Sequence, residues 1–177
     1  TRWATSTTPC TSRISRLKEE SVAPNNHETW YDAQLVALLL YTGQQAEARK
    51  VLEWQTTKRL AAQIEPDGRQ PEELTRTRSW DYSVMNLEGW FTVARLAKEA
   101  GLDLWTIRTK DGRSMRAALD YLVSYASGTR TWPYRQITPF DTDGIVPLLR
   151  QAAEAWRAPA YGALADRLEA GRLRHTD

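Results

Sequence analysis

From Glu28 onward apolar residues recur at three- and four-residue spacings, and no segment alternates as a half-buried strand would. That pattern confines the chain to an all-α fold. Thr29–Tyr41 is apolar on several sides, as in a buried helix, and Gly43 fits the stop just past its end. Gln45–Ile64 is a long amphipathic stretch in which Ala48, Val51, Leu52, Leu60, Ala61 and Ile64 recur at three- and four-residue spacings; Pro66-Asp67-Gly68 breaks it as a turn. A polar loop over Glu65–Glu73 leads to Leu74–Lys98, which contains the next helical run, closed by Gly101. Ser114–Tyr125 is the next helix, Gly128–Phe140 an aromatic loop, and Asp143–Trp156 with Ala160–Leu173 a final helix pair. Pro147 is tolerable in a first turn. Helix, loop, helix order predicts antiparallel hairpins, stacked as a bundle or a toroid.

Composition narrows the function. A formal charge of +2 over 177 residues lacks the excess expected of a nucleic-acid binder, so any polyanion preference must come from locally placed arginines. The longest apolar run, Leu35–Tyr41, is too short to span a bilayer. No basic segment followed by an apolar stretch opens the chain. Cys10, the single cysteine, permits no internal disulfide. Eight Trp and seven Tyr against two Phe suit a groove that stacks on sugar rings, and equally suit helix interfaces.

Three segments concentrate polar chemistry: Asn25-Asn26-His27, Arg76–Tyr82 and Trp132-Pro133-Tyr134-Arg135. All precede or interrupt helices, where loops open onto one face. Of the two histidines, His175 lies near the end, which leaves His27 as the one placed rigidly; Asn25 or Asn26 serves as N-cap. Metal binding is poorly supported, with no Cys pair and no HExxH spacing. No GxSxG elbow or phosphate-cradling glycine loop is present, and no carboxylate pair is marked out for glycoside hydrolysis.

Four stretches together resemble the alginate lyase superfamily domain. They are Asn25-Asn26-His27-Glu28-Thr29-Trp30-Tyr31-Asp32, Ala61-Ala62-Gln63-Ile64-Glu65-Pro66-Asp67-Gly68, Arg76-Thr77-Arg78-Ser79-Trp80-Asp81-Tyr82-Ser83 and Trp132-Pro133-Tyr134. The resemblance runs from about Pro24 to Leu168. It implies an incomplete α/α toroid of helical hairpins with a cleft across one end, of which this chain is the C-terminal half. The expected layout is an irregular segment over 1–23, the partial helical domain over 24–173 and a tail over 174–177.

The resemblance also implies a polysaccharide lyase that cleaves a uronate polymer by β-elimination, without metal or cofactor, in the periplasm or secreted. Its partner is an anionic polysaccharide, with no nucleic acid or membrane. Asn26 and His27 match the Asn-His pair that contacts the substrate carboxylate, and Tyr82 matches the catalytic acid, which in syn elimination is also the base. A basic residue is expected shortly before that Tyr. Thr75 stands seven positions before it, and Arg76 and Arg78 are the candidates. If both shared Tyr82's helix, Arg78, four residues away, would be better placed as catalytic partner, leaving Arg76 to bind substrate. Trp132, Tyr134, Arg135 and Gln63 are further candidates for substrate contact, with Gln70 behind them. The competing class is a non-catalytic or truncated carbohydrate-binding helical protein.

Overall fold

The computed structural model describes residues 24–53 and 57–173. The expected segments 1–23 and 174–177 lie outside the described residues. Within them the fold is all-helical: α1 Asn26–Tyr41, α2 Gln45–Val51, α3 Thr57–Gln63, α4 Pro71–Leu74, α5 Ser79–Glu99, α6 Met115–Ala126, a 3-10 turn Asp143–Ile145, α7 Val146–Ala155 and α8 Pro159–Leu173. The only β pairing among the described residues is an isolated antiparallel bridge between Arg78 and Gln136.

Helices α1 and α5 lie side by side and run the same way. Near their starts Thr29 Oγ1 is 2.7 Å from Asn86 Oδ1, and Trp30 Nε1 donates to the Met85 carbonyl at 3.2 Å. Beyond the end of α1, Gln45 Nε2 reaches the Glu99 carbonyl at the end of α5 (2.7 Å). Gly89 permits this approach, since a Cβ there would stand 2.9 Å from the Thr29 methyl. The chain after α1 doubles back, because Arg59 and Gln63 on α3 bond the Glu28 and Asn25 carbonyls at the start of α1. Helix α6 likewise returns along α5, bringing Tyr125 beside Trp132, which packs on Trp80. Two antiparallel hairpins with parallel first arms therefore place four helix ends together: the starts of α1 and α5 and the ends of α3 and α6. The loops of the candidate site emerge there.

The core between the arms contains Val36, Leu60, Ile64, Leu87, Phe91, Leu119, Leu122 and Leu149, each at most 1 % exposed. Burial on this scale is the main favourable term in folding, roughly 25 cal/mol per Å² of apolar surface. Helices α7 and α8 close the far side, where Trp156 meets Phe91, Trp105 and Tyr161. The turn at Pro66–Gly68 presses on α6 so closely that a Cβ on Gly68, at φ +89°, would lie 2.1 Å from the Ala117 carbonyl oxygen. No helix among the described residues is long and apolar enough to cross a membrane.

One local expectation changes, and two others gain detail. Helix α1 is buried along one side only: Ala33 and Val36 are enclosed, while Leu38 and Tyr41 are 60 % and 89 % exposed. Within Gln45–Ile64 a wide π-type turn at 52–53 follows α2. The helical run within Leu74–Lys98 begins at Ser79. Residues 75–78 leave helical geometry because their backbone pairs elsewhere: Ile137 N–H donates to the Thr77 carbonyl (3.0 Å) and Ser79 N–H to that of Arg135 (3.2 Å). A carbonyl engaged across a bridge does not serve an unbroken helix.

Candidate active site

The start of α1 is fixed from two sides. Asn25 is the N-cap, its side chain accepting from the His27 N–H at 3.0 Å. Asn26, 4 % exposed, donates its backbone N–H to one oxygen of Glu73 (2.6 Å) and its Nδ2 to the other (2.9 Å). His27 is exposed, one residue on. Burial pushes the Glu73 carboxyl above the usual carboxylate range, opposed by the two Asn26 donors and the nearby charges of Arg76 and His27.

From Glu73 the chain leads directly to the second group. The Arg76 guanidinium lies over the Tyr82 ring, 4.2 Å from its centre, and makes no ion pair among the described residues. Tyr82 is half-buried on the first turn of α5. Arg78 does not share that face. It is the residue before the helix, exposed, and its Nε pairs with Asp81 at 2.7 Å. As the N-cap its carbonyl accepts the Tyr82 N–H at 3.0 Å, but with a non-helical backbone its side chain goes to Asp81, three residues on. Arg76, and not Arg78, is the arginine that contacts the Tyr82 ring.

The third segment is stitched to the second. Ser79 Oγ donates to the Arg135 carbonyl (2.7 Å) and accepts from Trp132 Nε1 (2.9 Å), while Gln136 Oε1 accepts from the Trp80 N–H (3.1 Å). Trp132 packs edge-on to Trp80, Tyr125 and Tyr134. Tyr134 shares a 3.0 Å hydroxyl contact with Tyr121, whose own hydroxyl is pushed well up by burial and its tyrosine neighbours. The Arg135 side chain is exposed. Most of the aromatic excess thus fills helix interfaces, with one edge of this cluster open to solvent.

That edge lines a hollow of about 520 Å³ between Tyr125, Arg130, Trp132, Tyr134, Gln136 and Phe140. Arg130 stands over the Tyr125 ring at 4.9 Å. None of the hollow's lining residues is acidic, and Arg130 has no ion-pair partner among the described residues.

Gln63 does not face this surface, which corrects its expected role in substrate binding. It is 3 % exposed and its amide is consumed inside the fold. Oε1 takes Thr29, Trp90 and Asn86 at 2.8, 3.0 and 3.2 Å, while Nε2 donates to the Asn25 carbonyl and to Glu28. Gln70 is similarly enclosed, between Ser83 and Asn86. Glu73 and Arg130 are the residues the sequence reading passed over. Glu73 stands three before Arg76 in a stretch read as a solvated loop, and Arg130 sits among small residues in a loop noted only for its aromatics.

The fold and the site together define an all-helical protein whose loop end gathers an Asn–His pair, a tyrosine stacked with an arginine, and an aromatic hollow. The sequence matches the alginate lyase family over residues 1–132, a range that includes the undescribed 1–23. The fold is similar to the crystal structure of an alginate lyase from Bacteroides ovatus, with a TM-score of 0.81 and 36 % identity over 89 % of this chain. The chain spans 44 % of that structure's length. Comparison with curated proteins finds no match. The chain belongs to the alginate lyase family.

Proposed function

We propose that this chain carries the reaction centre of a polysaccharide lyase that breaks an alginate-like uronate polymer by β-elimination. The supporting observation is the Arg76–Tyr82 stack: an arginine with no ion pair among the described residues, held against a tyrosine, beside the Asn26–His27 helix start. The two parallel-armed hairpins fit one arc of an α/α toroid, with the site at its loop end. A polymer of this kind is met outside the cytoplasm, so the proposal places the protein in the periplasm or outside the cell.

The reaction removes the C5 proton of a uronate and expels the oxygen on C4. A carboxylate beside C5 makes that carbon a poor acid, because deprotonation adds charge to a group already negative. Donors from Asn26, His27 and Arg76 around the carboxylate stabilise the enolate that forms. Such preorganised donors are worth roughly 3–4 kcal/mol each in the transition state. Tyr82 takes the C5 proton on its phenolic oxygen and, in syn elimination, hands it to the leaving oxygen, with the Arg76 guanidinium held against its ring. For anti elimination His27 is the second group, on the other face of the sugar. Elimination leaves a conjugated unsaturated uronate at the new end. Mixing the protein with alginate and related uronate polymers therefore produces a rising ultraviolet absorbance, and binding without that rise would support a carbohydrate-binding role instead.

A further inference from the structure

We infer that Glu73 is the positioning residue for Asn26, its buried carboxylate fixing which end of the Asn26 amide faces the substrate side. Glu73 is 1 % exposed and both its oxygens are spent on Asn26, 47 positions away in the chain. An ionised carboxylate only accepts hydrogen bonds, so the amide must turn Nδ2 toward it; the reversed amide would set Oδ1 against a second acceptor. One Nδ2 proton is thereby engaged and the other is held in the amide plane. The charge on Glu73 also polarises that N–H, as hydrogen bonds to an ionised partner are stronger than neutral ones.

The same residue ties the two donor groups together. Its carbonyl accepts the Arg76 N–H at 3.1 Å, so its side chain orients Asn26 while its backbone sets the turn carrying Arg76. A purely structural role is the alternative, since a carboxylate at a helix start also satisfies a free N–H and complements the helix dipole. The two roles separate in a double-mutant cycle. Glu73→Gln keeps the shape but replaces one acceptor with a donor, which sets donor against donor unless Asn26 turns over.

The kinetic arm rests on the lyase reading. In the whole protein, Glu73→Gln lowers kcat about 100-fold with KM within about threefold, and the same change in an Asn26→Ala background costs less than about threefold. A loss repeated in full in the Asn26→Ala background, or a Glu73→Gln kcat within about threefold of the parent, overturns the inference. A second arm is independent of turnover. The Asn26 side-chain amide resonances, identified by their disappearance in Asn26→Ala, shift in Glu73→Gln; if they do not, the inference falls. If they shift while the parent turns over no uronate polymer, the lyase reading fails and the positioning of Asn26 by Glu73 stands.

Discussion

The Arg76 guanidinium rests 4.2 Å from the centre of the Tyr82 ring although a break in the helix separates the two residues. That break makes the contact possible. Residues 77–79 pair with 135–137, the chain turns, and Arg76 swings over the first turn of α5 while Arg78 is directed to Asp81. Arg76→Ala is expected to reduce turnover by roughly 100-fold or more, as loss of a transition-state donor does. Arg78→Ala removes an exposed ion pair worth about 1 kcal/mol or less and leaves turnover within about threefold. Steady-state kinetics on the two variants decide it, and a larger loss at Arg78 would reverse the assignment.

Gln63 is a matter of stability. Gln63→Ala takes the acceptor from Trp90 Nε1 and one of two acceptors from each of Thr29 Oγ1 and Asn86 Nδ2 in the core, and a buried group left without a partner costs about 1–3 kcal/mol. Relaxation recovers part of this, so a net loss of about 2–4 kcal/mol is expected in denaturant unfolding. A raised KM with unchanged stability would return Gln63 to the substrate surface.

Burial pushes Asp32 up to about 6, although Arg59 opposes the shift. Between an unfolded value near 3.9 and that folded value, the folded chain keeps a proton that the unfolded chain has lost, so raising the pH favours unfolding. The stability contributed by the protonated form is complete below about pH 4 and lost as the pH rises through about 6. Glu28 and Glu73 are shifted in the same direction by burial. From about pH 5 to about pH 7 the parent should lose on the order of 1 kcal/mol relative to Asp32→Asn. Chemical denaturation at the two pH values measures it; parallel pH dependences would contradict the assignment.

Arg130 offers the aromatic hollow a positive charge with no carboxylate partner among the described residues. If a uronate some sugars from the cleaved bond sits there, Arg130→Ala raises KM for the polymer about tenfold, the scale of one charge-assisted contact, and leaves kcat within about twofold. An unchanged KM on long substrates would remove the hollow from the binding path.

The sequence reached the helices, the three converging segments and the family because each is a local pattern. Helical spacing around Ala48, Leu52, Leu60 and Ile64 marks an apolar face without knowledge of what it meets, and the Asn-His and Trp-Asp-Tyr motifs lie in short runs. The start of α5 was not legible, since it depends on a bridge to residues 135–137, more than fifty positions away. The Arg76 and Arg78 question turned on that start. Glu73 and Gln63 were not legible for a related reason: a polar residue in a loop or at a helix end carries no sign of which way it faces, and only the packing of α1, α3 and α5 turns both inward. Leu38 and Tyr41 failed the opposite way, apolar in sequence yet exposed along the outer side of α1.

Tyr82→Phe addresses the central claim most directly, because it removes one hydroxyl and keeps the ring under Arg76. The ultraviolet absorbance of the unsaturated product is followed for parent and variant on the same uronate polymer, alongside binding of each. A clear rise is expected for the parent and a rate at least about 100-fold lower for the variant, with affinity within a few-fold. No rise with any uronate polymer, or a variant rate within about tenfold of the parent, would contradict it.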